Sequence, residues 1–245
     1  MNTTKFASVL AISAFSTFWS CSKDRISNSS TTPINNCRIA TAIRTSGSSS
    51  VTYTFGYDDS GRVSRVAYNG SDAYTKHFTY NNKMIYVYTD AGVNSSTDTI
   101  TLNSRGFIGT IKETVPNSVY NSVYTYDANG VLVSSSTQQN SYPPISVNYT
   151  FSNGDLIYSS GSDGSKDTVS YYSDKPAVIG DLNQFYQFSY YGAYYYKNIH
   201  LQKTLDSDPF HFVYSYLFDA KGNITSVISN YGASTDTLSF TYTCP

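Results

Sequence analysis

The sequence predicts an all-β protein, an antiparallel meander of tyrosine-rich hairpins curled into a barrel or half-barrel. Three observations carry that expectation. Strand-length segments alternate aromatic with polar residues, and polar turns of Asp, Asn and Gly separate them at a regular spacing. No stretch of the mature chain holds apolar residues at helical spacing for long enough to predict a helix. Composition agrees: of 245 residues, 25 are Tyr and 13 are Phe, types that suit a pleated surface.

The N-terminus is an export signal. Met1 to Lys5 supplies one positive charge, and the run from Phe6 to Phe18 holds only small, apolar or hydroxyl residues. These are the charged and apolar regions of a secretory signal peptide over residues 1–20. A membrane-crossing helix needs about 20 apolar residues, more than this run offers. The run ends at Phe18-Trp19-Ser20-Cys21, which resembles a bacterial lipobox and implies a lipid on Cys21 as the mature N-terminus. Ordinary secretion with cleavage nearby is the alternative. Residues 21–36, rich in Ser, Thr and Asn, cannot bury enough apolar surface to offset the entropy of ordering and read as a flexible lipidated tether.

Residues 37–245 read as one β-hairpin-repeat domain. Its unit is a strand alternating aromatic and polar residues, a polar turn, and a strand of β-branched residues. Clear copies are Tyr53-Thr54-Phe55-Gly56-Tyr57-Asp58-Asp59-Ser60-Gly61, Tyr124-Thr125-Tyr126-Asp127-Ala128-Asn129-Gly130 and Tyr214-Ser215-Tyr216-Leu217-Phe218-Asp219-Ala220-Lys221-Gly222. Weaker copies turn at Asn81-Asn82, Asn103-Ser104-Arg105-Gly106 and Asn153-Gly154, and Gly106, Gly130 and Gly154 are spaced by 24 residues. Asp, Asn and Gly suit such turns because they tolerate positive φ and bond their own backbone. About 14 to 18 strands follow from this period. An open twisted sheet rarely exceeds about ten, so the meander must curl.

Of three cysteines, the lipid takes Cys21. Cys37 and Cys244 flank the hairpin array, and in an oxidising envelope they are most simply a disulfide tying the first strand to the last. Two buried reduced thiols are the alternative.

The Tyr-x-Tyr-Asp-x-x-Gly pattern resembles the YD repeats of Rhs-type toxin shells. The whole layout is similar to the uncharacterised Bacteroidota lipoproteins of porin-like fold called domain of unknown function 4595. That layout is the lipid cysteine, a short linker, Asn36-Cys37-Arg38-Ile39, hairpins throughout and a Phe240-Thr241-Tyr242-Thr243-Cys244 end. The resemblance implies a porin-like barrel and brings no catalytic residue. A transmembrane barrel shows an outward apolar band. Ser, Thr and Asn occupy that face of many strands here, which favours a soluble domain held by its lipid.

Function is less legible. The formal net charge is −1 and no basic patch appears, which argues against nucleic acid. No nucleophile elbow, zinc-protease motif or phosphate loop is present. His77, His200 and His211 lack metal-ligand spacing and read as scattered strand histidines. Carboxylates fall in turns (Asp58, Asp59, Asp127, Asp155, Asp219) or in Asp-Thr pairs (Asp98, Asp167, Asp236), which turn chemistry explains without catalysis. No cofactor, metal or catalytic residue is expected.

The densest aromatic patch, residues 185–196, breaks the repeat and nominates Tyr186, Tyr190, Tyr191, Tyr194, Tyr195 and Tyr196 as ligand-binding. The alternative is that these rings fill the core. The resulting expectation is a non-enzymatic outer-membrane lipoprotein, on the periplasmic or cell-surface side, that binds a glycan or protein. A structural or assembly partner of an outer-membrane protein is the runner-up.

Overall fold

The computed structural model describes residues 37–244. The signal over 1–20, Cys21 and the tether over 21–36 lie outside the described residues.

Sixteen strands follow one another in chain order. The first eight are β1 (Arg38–Ser46), β2 (Ser49–Tyr57), β3 (Val63–Asn69), β4 (Tyr74–Asn81), β5 (Met84–Asp90), β6 (Ser96–Leu102), β7 (Ile108–Val115) and β8 (Ser118–Tyr126). Then come β9 (Leu132–Gln139), β10 (Ile145–Ser152), β11 (Asp155–Gly161) and β12 (Lys166–Pro176). The last four are β13 (His200–Ser207), β14 (Phe210–Phe218), β15 (Ile224–Tyr231) and β16 (Ser234–Thr243). Each pairs antiparallel with the next, and β16 returns to pair with β1, so the barrel is closed rather than a half-barrel. The structure joins Cys37 to Cys244 across this closing seam, with Cα atoms 4.1 Å apart and 207 residues between them.

The repeated turn gathers at one rim. At Asp58 the amide donates to the Arg62 carbonyl, Gly61 N donates to the Asp58 carbonyl, and Arg62 N donates to the Asp58 carboxylate. The same three bonds recur at Asp127-Gly130-Val131, at Asp219-Gly222-Asn223 and, with Asn in place of Asp, at Asn103-Gly106-Phe107. The fourth residue is Gly because it sits at positive φ, 79° at Gly61 and 83° at Gly222. Two-residue turns at Asn82-Lys83 and Asn153-Gly154 share this rim, and the cis Asp208-Pro209 bond lies in a turn at the opposite rim.

Just beyond the Asp turns, each odd-numbered strand sets one aliphatic residue inward: Ile39, Val63, Ile85, Ile108, Leu132, Leu156, Leu201 and Ile224, all buried. In most of these strands the next residue bulges, as register slips at Gly56/Tyr57, Thr101/Leu102, Thr125/Tyr126 and Leu217/Phe218 show. A bulge breaks ladder pairing and tightens the local twist. The carbonyl at the bulge takes a tyrosine hydroxyl instead, from Tyr57 to Ile39, Tyr80 to Val63, Tyr126 to Ile108 and Tyr242 to Ile224.

The aliphatic residues recur every 22 to 24 positions except between Leu156 and Leu201, where 45 positions intervene. The excess is an insertion between β12 and β13 that carries the helix α1 (Leu182–Tyr191). This helix corrects the sequence reading, which expected none. Asp181 caps it by accepting from Gln184 N, Gln184 accepts from Gly180 N, and Gly192 ends it in the left-handed conformation. Its apolar stripe is short and interrupted by tyrosines, so periodicity alone hides it.

Barrels of 16 strands are wide enough to leave an aqueous channel. Here the insertion and inward-facing rings fill the bore. Phe185 is buried against Tyr53 and Phe55 of β2 and Phe240 of β16, the two strands that flank β1 at the closing seam. The outer face carries Thr97, Thr99 and Thr101 on β6 and Thr237, Ser239 and Thr241 on β16, with scattered apolar residues such as Val123 and Leu217. Among the described residues no helix is long and apolar enough to cross a membrane.

Candidate functional site

The insertion is bound to the wall by its backbone. Gln187, 2% exposed, donates to the Tyr196 carbonyl at 3.0 Å and accepts from Tyr195 N at 2.7 Å, clamping the returning chain against α1. Ile108 N at the rim donates to the Tyr194 carbonyl at 2.9 Å, and Tyr126 Oη lies 2.9 Å from the Tyr195 carbonyl. Asp155, the buried first residue of β11 rather than a turn residue, accepts from Ile199 N, His200 N and His200 Nδ1. These bonds give the backbone of the returning segment partners inside the bore, as buried backbone requires.

The six nominated tyrosines do not form one surface. Tyr186 and Tyr190 are each 42% exposed, one helical turn apart. Tyr191 and Tyr194 are half-buried; Tyr194 packs edge-on to Phe188 and lies under the Lys197 ammonium, 4.3 Å from its ring centre. Tyr195 stacks on Tyr124 of β8 and meets Tyr196 edge-on. Burial pushes the Tyr195 and Tyr196 hydroxyls well above the usual phenol range, so both stay protonated and neutral.

Tyr195 and Tyr196 border a cavity of about 590 Å³. Tyr149 and Phe151 of β10 and Phe107 of the β6–β7 turn complete its aromatic lining, and Lys197 and Asp127 add charge. The cavity lies where the wall parts. β9 and β10 pair only as far as Ser134 and Asn148, and the strand ends beyond, Leu132 and Val133 on one side and Tyr149 to Phe151 on the other, line it instead of bonding each other. Its volume falls within the about 300–1,000 Å³ usual for small-molecule sites.

A second group of polar residues faces the bore. The Asp-Thr pairs that the sequence suggested were turn-like lie within strands, and Asp98 on β6 and Asp236 on β16 are buried. Lys76 on β4 pairs with Thr89 on β5, and Asp98 pairs with Glu113 on β7, which places these four side chains on adjoining strands. Asp98 Oδ1 and Thr89 Oγ1 have no hydrogen-bond partner among the described residues. Burial pushes the Asp98 carboxyl up to about 6, against the pull of Lys76. Burial also holds the Lys76 ammonium below its ordinary value, and Lys76 donates to the Tyr190 carbonyl at the end of α1.

The histidines remain apart. His77 is exposed on β4 beside Tyr88, His200 bonds Asp155, and His211 bonds Asp206 at the opposite rim. Among the described residues no cluster of three His, Cys, Asp or Glu side chains fits a metal.

Solved structures share this architecture. A porin-like protein from Bacteroides uniformis superposes with a TM-score of 0.62 at 14% identity, covering 84% of this chain and 96% of its own. A porin-like protein from Bacteroides vulgatus gives 0.57 at 12% identity, covering 84% and 98%. The barrel is porin-like in fold. At such identities the likeness carries the fold and nothing finer. No family model matches the chain, and no curated protein matches it.

Within this porin-like barrel, sequence reasoning missed Gln187, Asp98, Lys76 and the Arg44–Asp236 pair. Strand alternation could have found Asp98 and Asp236, since each lies two residues from a buried aliphatic, Ile100 and Leu238. Nothing local marks Gln187, whose partners exist only because the chain doubles back.

Proposed function

We propose that this is a non-enzymatic, lipid-anchored outer-membrane protein whose soluble barrel binds a glycan or protein segment at the cavity beside Tyr195 and Tyr196. The observation that carries this reading is the cavity itself: an aromatic bed opening through a parted seam, with Lys197 and Asp127 as polar groups at hand. Tyrosine rings offer an apolar face and a polar tip, which suits sugars and peptide side chains alike. The threonine-rich outer wall supports a barrel standing in water, because a membrane-spanning wall needs an apolar band. Membership of the domain-of-unknown-function 4595 lipoproteins fits the Cys21 layout and the porin-like fold.

Two experiments test the reading. Cys21→Ala should move the protein from the membrane to the soluble fraction; unchanged fractionation overturns the anchor. Among the arrayed glycans and peptides that the parent binds, at least one should be lost in Tyr196→Ala while the fold is kept, and an array profile that Tyr196→Ala leaves unchanged overturns the site. The assembly reading is weaker because closure by the β1–β16 pairing leaves no free terminal strand for edge docking.

A further inference from the structure

The bore holds another cavity, of about 300 Å³, that shares no lining residue with the first. Leu182 and Tyr186 of α1 roof it, and its walls come from β13 to β16 and β1. The inward positions of β14 are Phe210, Phe212, Tyr214 and Tyr216, a row of rings along one strand. Phe210 and Phe212 have centroids 6.0 Å apart, and Phe212 and Tyr214 lie 6.3 Å apart with planes 8° from parallel. Exposure falls along the row, from 54% at Phe210 beside the opposite rim to 8% at Tyr214. The row therefore leads from solvent to the cavity floor.

A fixed polar pair lines the same cavity. Arg44 of β1 donates to Asp236 Oδ2 from Nε at 3.2 Å and from Nη2 at 2.6 Å, and Tyr231 Oη donates to Asp236 Oδ1 at 3.3 Å. Asp236 is nearly covered, at 11% side-chain exposure, whereas Arg44 is 47% exposed. A guanidinium has five N–H donors, so Arg44 keeps donors beyond the two that Asp236 takes. Ser229 adds a hydroxyl to the lining.

We propose that this cavity is a saccharide site, entered from the opposite rim, that takes a neutral sugar ring. A pyranose has an apolar C–H face and a hydroxylated edge. The parallel rings of Phe212 and Tyr214 meet the face, and the Arg44–Asp236 pair with Ser229 meets the edge with both donors and acceptors. A fatty chain would leave the ion pair desolvated without new bonds, which is costly. An anionic sugar gains little, because Asp236 already neutralises Arg44. The site is independent of the cavity at Tyr195 and Tyr196.

The sole tryptophan, Trp19, belongs to the signal, so a Phe210→Trp mature protein carries one indole at the mouth of this cavity, at an exposed position that tolerates it. Neutral oligosaccharides of glucose, xylose and mannose, a uronate oligomer and a fatty acid are titrated against its emission. The expected result is a saturable shift with a neutral oligosaccharide, weakened at least tenfold by Phe212→Leu and by Arg44→Gln, and unchanged by Tyr196→Ala. Phe212→Leu keeps an apolar filler, so loss of binding there reports the ring face rather than the fold. No shift with any neutral sugar at millimolar concentration overturns the proposal. So does a response to uronate or fatty acid alone, full affinity in Phe212→Leu, or loss in Tyr196→Ala.

Discussion

The Tyr57 hydroxyl donates to the Ile39 carbonyl at 2.8 Å, from the last residue of β2 to the first buried residue of β1. Tyr126 stands in the same relation to Ile108 and Tyr242 to Ile224, each 18 residues on, and Tyr80 to Val63, 17 residues on. The bond accounts for the tyrosine that precedes the turn Asp at Tyr57-Asp58 and Tyr126-Asp127. A strand that bulges near its start frees a carbonyl, and a phenol on the neighbouring strand reaches it where no backbone amide does.

Removing one such hydroxyl should therefore cost more than a surface change. Tyr57→Phe leaves the Ile39 carbonyl without that donor and is expected to lower stability by about 1–3 kcal/mol. Tyr142→Phe, on a side chain 64% exposed, should stay within about 0.5 kcal/mol. Urea midpoints at unchanged m-value measure both, and equal effects would remove the special role of the bond.

Gln187 holds the returning segment to α1 from a buried position. Gln187→Leu keeps the bulk but strands the Tyr195 amide and the Tyr196 carbonyl, about 1–3 kcal/mol for each buried group left unpaired. The segment should then open locally before the barrel unfolds, so limited chymotrypsin should cut after Tyr194 to Tyr196 in the variant and not in the parent. Equal resistance would show that the wall contacts alone hold the insertion.

Asp98 makes stability depend on pH. Its folded carboxyl is pushed up to about 6 from an ordinary 3.8, so the folded state holds the extra proton and this group weakens the fold as pH rises from about 4 through 6. The groups that set this are Lys76 on β4, which opposes it, and Glu113 on β7, which adds to it; Tyr191 on α1 lies near both carboxylates. Asp98→Asn should be more stable than the parent by about 2–3 kcal/mol at pH 7.5 and about equal at pH 4. A stability difference that does not change between those pH values would contradict it.

The Cys37–Cys244 bond closes a loop of 207 residues. On the chain-entropy model, replacing both cysteines by serine should cost about 5 kcal/mol. A non-reducing mass spectrum of the mature protein should show no free thiol, and the serine pair should match the parent only when the parent is reduced.

Much of the fold was legible because the repeat carries its own punctuation. Asp at Asp58, Asp127 and Asp219 with Gly three residues later marks the turn, and alternation such as Tyr53-Thr54-Phe55 marks the buried face. Closure was not decidable, since pairing of β1 with β16 joins segments that share no local signal. The helix was hidden by its tyrosines, although Asp181, Gln184 and Gly192 bracketed it. The aromatic patch was correctly singled out as unlike the repeat, but its division between a rim cavity and the bore depends on where the chain turns back at Gly192. The inward carboxylates were misread because an Asp-Thr pair looks alike in a turn and in a strand.

Phe185 and its neighbours knit the walls together through the bore, and the cavities beside Tyr196 and beneath Tyr186 have separate linings. Substitutions within one lining should therefore add to those within the other, whereas changes in α1, which carries both Tyr186 and Gln187, should reach both. On this proposal each site can change through its own lining, and α1 is the part the two have in common.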